Sequence, residues 1–137
     1  GLNFKMSDVA AAMGLGQMKE IETAVDMRRW WADEYRDRLM EQGIRPPYRR
    51  VGPKYETNYQ SYVVDLGDVD TGKTRDAVLH KMRANGIEAQ VGSYDQSNGT
   101  CKNSARLAAT TLALPIWPEM TLEDIDMVIN ALEEALA

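Results

Sequence analysis

Residues 7–42 read SDVAAAMGLGQMKEIETAVDMRRWWADEYRDRLMEQ, a stretch with no proline. Along it Leu15, Met18, Ile21, Val25, Ala32, Tyr35 and Leu39 recur at intervals of mostly three, four or seven, which puts them on one face of an α-helix. Ser7 suits the N-cap, Asp8 the first turn and Gly43 the position just past the end. Gly14 and Gly16 each cost about 1 kcal/mol relative to alanine inside a helix, so a break is admitted there, yet the flanking pattern predicts one continuous helix. About 35 residues at ~1.5 Å each make a rod of roughly 50 Å. A compact domain of this length has a radius of gyration near ~14 Å and a diameter of roughly 37 Å, so part of the rod must overhang. The segment Val9 to Gly16 is apolar or small on every side, the pattern of a helix covered all round. Residues 1–18 are therefore expected to pack against polypeptide outside the 137-residue chain, either another domain or a second subunit.

Downstream, Arg45 to Pro53 holds three prolines and reads as a loop. Tyr59 to Leu66 is aromatic and β-branched and predicts a strand, with Tyr59 and Ser61 facing away from Gln60 and Tyr62. Thr71 is read as the cap of a helix over 72–85 that stops at Gly86, followed by a strand over 87–91. Asn103 is read as the cap of a helix over 104–111. Leu114 to Pro118 is an extended segment in which Pro115 argues for an edge strand. Thr121 and Asp124 resemble a capping box ahead of the apolar stripe Ile125, Val128, Ile129, Leu132 and Leu136, predicting a helix over 122–136. The fold class that follows is α+β: a long N-terminal helix and a small three-stranded sheet with helices on one face. The division expected is a linking helix over 1–42 and a small α+β domain over 43–137.

The composition, 44% hydrophobic and 27% charged, is that of a folded globular chain. A formal net charge of −5 argues against nucleic acid, whose affinity comes from many Lys and Arg contacts to phosphate. No run approaches the roughly 18 apolar residues of a membrane span, and no basic, apolar and cleavable leader opens the chain, so a cytoplasmic, membrane-free protein is expected. Gly1 in place of methionine suggests a piece of something longer. Cys101 and His80 each stand alone, so a disulfide, a cysteine cluster or a histidine-based metal site is not expected. Asp65, Asp68 and Asp70 read as a solvated turn rather than a metal site. Trp30 and Trp31, about 100° apart on a helix, cannot form one stacking platform and are expected to pack against a neighbouring domain. No phosphate loop, HExxH or nucleophile elbow is present, and no catalytic residue is assigned. The residues alone thus support an α+β domain that needs a partner.

Four blocks carry a resemblance that goes further. Gly1-Leu2-Asn3-Phe4-Lys5-Met6-Ser7-Asp8, continuing to Gln17-Met18, is similar to the G-x-N-[YF]-R-M-[ST]-D segment of the DegT/DnrJ/EryC1/StrS aminotransferases. Tyr59 to Val64, Gly86 to Tyr94, and Ala113 to Pro118 resemble three later blocks in that family's order. The resemblance implies the C-terminal small domain of a fold-type-I, pyridoxal-phosphate-dependent enzyme that moves an amino group, from a donor such as glutamate, to a nucleotide-linked keto-sugar. It implies a homodimer whose active site lies at the subunit interface, in a deoxyamino-sugar biosynthetic role. The Schiff-base lysine lies upstream of Gly1 in such enzymes, so lysines 5, 19, 54, 73, 81 and 102 do not stand in its place and the chain alone should not transaminate. By the same resemblance Asn3 reaches the cofactor phosphate of the other subunit, Lys5 replaces an arginine beside it, and Tyr94 and Tyr59 face substrate. Lys5 keeps the charge but not the planar fork of arginine. After Tyr94 the chain departs from the family's alanine, leucine and histidine with Asp95-Gln96-Ser97-Asn98-Gly99. A competing reading is a non-catalytic α+β regulatory or protein-interaction module, since fold does not fix function.

Overall fold

The computed structural model describes residues 5–47, 55–67, 69 and 72–137. The N-terminal stretch forms two helices, α1 (Asp8–Met18) and α2 (Ile21–Glu41). Ser7 caps α1, its Oγ accepting from the Ala10 amide at 3.2 Å. The expected single rod is interrupted, though not at the glycines. The amides of Lys19 and Glu20 bond back three residues, to Gly16 and Gln17, and this tighter turn ends α1. Gly14 and Gly16 stay helical, and a Cβ built on either would meet nothing within 4 Å.

The remaining elements are β1 (Tyr62–Asp65), α3 (Arg75–Ala84), β2 (Gln90–Val91), α4 (Lys102–Thr110), β3 (Thr111–Leu114) and α5 (Leu122–Leu136). The sheet is antiparallel in the order β1-β3-β2, with Tyr62 opposite Leu114, Val64 opposite Leu112, and Gln90 opposite Ala113. β3 is thus central, which corrects the edge position inferred from Pro115. The proline follows Leu114, where the ladder to β1 has ended, so its missing N–H forfeits no ladder bond. The first strand is shorter than the expected 59–66. The Tyr59 amide donates to Thr57 Oγ1 and the Gln60 amide to Asn58 Oδ1, and Tyr59 sits at φ +46°, so the chain turns before it extends. The helix expected from Thr71 starts later, capped by Thr74 Oγ1 accepting from the Ala77 amide; Thr71 lies outside the described residues. Residues 87–89 precede the short β2, and α4 starts at Lys102 with Cys101 at its N-cap rather than Asn103.

One sheet face, carrying Tyr62, Val64, Leu112 and Leu114, is buried with the inner sides of α2, α3 and α5. α5 supplies Ile125, Val128, Ile129 and Leu132, and its N-terminus carries the full reciprocal capping box between Thr121 and Asp124. α2 contributes Trp31, Ala32, Tyr35 and Leu39. Trp31 is therefore a core residue of this chain, correcting the expectation that it packs against a neighbouring domain, and its Nε1 donates to the Pro118 carbonyl at 3.0 Å. Tyr35 donates in parallel to Pro115 O at 2.9 Å, so two aromatic side chains of α2 hold the segment after β3. Burial raises the Tyr35 and Tyr62 hydroxyls well above the ordinary phenol range, keeping both neutral hydrogen-bond donors.

Candidate functional site

α1 contributes no buried residue. Met13 and Leu15 are 66% and 69% exposed, and Met6, Val9 and Met18 are exposed beside them. The stripe read from residues 15 to 39 divides at the turn. Ala32, Tyr35 and Leu39 enter the core, while Leu15, Met18 and Ile21 face outward. Between α1 and the start of α2 lies an open groove of about 980 Å³, walled by Met6, Ala11, Leu15, Met18, Ile21 and Ala24. Contiguous apolar exposure on this scale marks a surface that expects a partner.

The second feature is the crossing that launches the loop after β2. The Gly92 amide donates to Thr111 O at 3.1 Å, and the same carbonyl accepts from Arg75 Nη1 at 2.9 Å. A Cβ on Gly92 would stand 2.7 Å from Val63 Cγ1 and 2.9 Å from the Leu112 nitrogen, so only glycine lets the chain lie this close to the sheet. Tyr94 follows two residues later, 74% exposed. The turn beyond it is folded on itself: Asp95 Oδ1 accepts from the Ser97 amide at 2.9 Å and the Ser97 hydroxyl at 2.5 Å, and Ser97 Oγ accepts from the Cys101 amide. The Ser97 hydroxyl, with its amide, holds the Asp95 carboxyl below the usual range. An Asp two residues ahead of Ser is a turn signal that reading the loop as a departure from a family pattern passed over. Arg75 and Gly92 were also missed, because their roles depend on a carbonyl of β3 remote in sequence.

Lys5 is exposed two residues before the Ser7 cap of α1, and Asn3 lies outside the described residues. Tyr59 is 4% exposed, its ring 5.8 Å from that of Tyr62. Tyr59 thus lies in the core of this chain rather than on an exposed strand face. The two-residue alternation fails because residue 59 is in a left-handed turn rather than a strand, which brings both rings into one core. Asp65 is ion-paired to Arg106 at 2.7 Å, while Asp68 and Asp70 lie outside the described residues. Burial opposes its charge, but hydrogen bonds from the Thr110 hydroxyl, the Gly67 amide and Arg106 outweigh it and lower its pKa. His80 and Cys101 are both exposed.

A pocket of about 400 Å³ between β2 and α5 is lined by Ile87, Pro115, Trp117 and Met127, with Glu88 and Asp124 as its charged groups. Two carboxylates and no cation suit a phosphate dianion poorly, and Asp124 is already engaged by the Thr121 amide and hydroxyl. This pocket does not fit pyridoxal phosphate, and the described residues build no cofactor site by themselves. No helix among them is long and apolar enough to cross a membrane.

The sequence profile of the DegT/DnrJ/EryC1/StrS aminotransferase family matches residues 1–133. A GDP-perosamine synthase of Caulobacter vibrioides is 27% identical over 99% of this chain, and 39% of that protein is covered. The UDP-4-amino-4-deoxy-L-arabinose–oxoglutarate aminotransferase of Shewanella sediminis is 24% identical over 98% of the chain, again with 39% of that protein covered. Among solved structures, DesI in the presence of its TDP-sugar product superposes with a TM-score of 0.84 at 26% identity, covering 99% of this chain and 37% of that one. The chain thus spans about two fifths of the length of the curated relatives it matches.

Proposed function

The chain belongs to the DegT/DnrJ/EryC1/StrS aminotransferase family, and from that premise we propose that it is the C-terminal small-domain part of an enzyme that aminates a nucleotide-linked keto-sugar. The observation that carries the reading is the end-to-end match to proteins named for GDP-, UDP- and TDP-linked sugars, each more than twice as long. The bare flank of α1 supports the second half of the proposal: a larger domain, with the cofactor-holding lysine, covers this surface in the intact homodimer.

Pyridoxal phosphate, when bound, supplies an electron sink at the carbon that gains or loses the amino group. This chain's share is placement. Asn3 is proposed as a neutral donor toward the cofactor phosphate of the other subunit, with Lys5 as the adjacent positive charge. Tyr94, held out from the sheet by the Gly92 crossing, forms part of the sugar-nucleotide wall. Tyr59 supports that wall from the core rather than touching substrate.

The test has two steps. The gene's reading frame upstream of Gly1 should encode a larger domain with a lysine shortly before it. The full-length protein should then bind pyridoxal phosphate with a visible absorbance band and transfer an amino group from glutamate to a nucleotide-linked keto-sugar, while the 137-residue chain does neither. A reading frame that opens at Gly1, or stoichiometric covalent capture of the cofactor by the chain alone, overturns the proposal.

A further inference from the structure

The segment that carries Tyr94 leaves the sheet and returns to it at one point. Gly92 follows β2 and Thr111 opens β3, and the Gly92 amide donates to the Thr111 carbonyl at 3.1 Å, so residues 93–110 form an excursion closed at its neck. A carbonyl oxygen has two acceptor positions, and Arg75 Nη1 takes the other at 2.9 Å. Arg75 opens α3 with its side chain only 11% exposed, and its Nε donates to the exposed Asp76 carboxylate at 2.7 Å. Taking a guanidinium out of water is costly unless its donors are met, and here the inward-facing donor is met by the neck of the excursion. α3 itself is seated in the core through Val78, Leu79 and Met82, and its Arg83 Nε donates to the Ala89 carbonyl at 3.2 Å. The two-residue β2 is thus held from α3 on both flanks, at Ala89 ahead of it and at the Gly92–Thr111 neck behind it.

Tyr94 stands two residues past the neck, exposed, and the turn beyond it is braced within itself, Asp95 to Ser97 and Ser97 to Cys101. A loop braced in this way turns as a unit, so its direction is set at the neck. We propose that Arg75 is a positioning residue for sugar-nucleotide binding: by holding the Thr111 carbonyl it fixes the direction in which Tyr94 leaves the sheet, without touching substrate itself. The inference rests on the reading of the chain as part of a nucleotide-sugar aminotransferase with Tyr94 in its substrate wall. Without Arg75 the Thr111 carbonyl keeps only the neutral hydrogen bond from Gly92, and a bond from a charged donor is roughly twice as strong. Its loss lowers the fraction of enzyme whose loop is placed for binding, and the apparent affinity falls with that fraction.

The experiment is steady-state kinetics on the full-length protein and its Arg75→Met, Arg75→Lys, Tyr94→Ala and Arg75→Met/Tyr94→Ala variants. Arg75→Met raises KM for the sugar nucleotide about tenfold, the lower end for losing a hydrogen bond from a charged donor, while KM for glutamate stays where it was. Arg75→Lys, which keeps the charge but not the planar fork, recovers part of the loss. In the Tyr94→Ala background Arg75→Met adds nothing further, the mark of one residue acting through the other. Arg75→Gln, shorter and neutral but polar, repeats the removal should methionine at this site not fold. An unchanged sugar-nucleotide KM in a folded removal variant overturns the proposal. So do KM values for sugar nucleotide and glutamate that rise together, which assign Arg75 to the fold alone, and effects that add in the double variant, which route Arg75 past Tyr94. All three leave the aminotransferase reading standing. A full-length wild type that transfers no amino group to a nucleotide-linked keto-sugar overturns that reading, and the proposal with it.

Discussion

Gly92 lies against Thr111 so closely that a built Cβ would stand 2.8 Å from the Thr111 Cβ, while its amide bonds the Thr111 carbonyl at 3.1 Å. Three segments far apart in sequence meet there: the start of β3, the loop carrying Tyr94, and Arg75 at the head of α3, which donates to the same carbonyl. The loop's position follows from the absence of one methyl group.

Gly92→Ala should therefore destabilise the chain by about 1–3 kcal/mol, the range for forcing atoms into a packed interior, with the upper end expected because the Leu112 main-chain nitrogen cannot move aside. The urea midpoint measures it. Gly14→Ala is the control: its added Cβ meets nothing, and the helix should gain about 1 kcal/mol.

Tyr35→Phe removes the donor that satisfies Pro115 O at 2.9 Å and leaves that carbonyl unpaired in a half-buried setting. A loss of about 1–3 kcal/mol is expected. Urea denaturation should show it, with the far-ultraviolet circular dichroism of the native state unchanged.

The reciprocal bonds of Thr121 and Asp124 fix the start of α5. Thr121→Ala should cost about 1 kcal/mol. Asp124→Asn should cost less, because it keeps an oxygen for the Thr121 amide. Thermal unfolding of the two variants gives the order.

Asp65 has its pKa lowered in the folded chain, against an ordinary value near ~3.9. A depressed carboxyl contributes stability that is present above the unfolded value and is lost as pH falls through the folded one. Asp65→Asn should thus be less stable than the wild type at neutral pH, with the gap closing as the solution is acidified below about pH 4. Urea midpoints measured from pH 7 down to about pH 3 test this; a gap constant with pH would remove the charge argument.

Tyr94→Ala should leave the stability of the chain within about 0.5 kcal/mol, since the side chain is 74% exposed. If the proposed sugar-nucleotide wall is right, the same change in the full-length enzyme raises KM for the sugar nucleotide. Steady-state kinetics on the full-length variant decide it.

Much of this architecture was legible from local signals, and the misreadings share one cause. The capping box at Thr121, the stop at Gly86 and the stripe of α5 are set by residues within a turn or two of one another, so sequence proximity is spatial proximity. The pairings Tyr62 with Leu114 and Gln90 with Ala113 join residues tens of positions apart, and periodicity carries no information about them. For that reason Pro115 suggests an edge although the strand it follows is central, and the expected strand reaches back to Tyr59 although a left-handed turn at φ +46° sends that ring inward. The break between the first two helices escaped for a subtler reason. The glycines are the intrinsically weak positions, but the chain tightened three residues later, at Lys19 and Glu20.

The sequence by itself determined the helices, the turn residues, the family and the surplus of apolar surface near the N-terminus, because these follow from side-chain chemistry at short range. Only the tertiary structure decided which half of the long stripe is core and which is bare, which strand lies in the middle, and that Gly92 has no room for a side chain. Those outcomes depend on distances between segments that the order of residues does not encode.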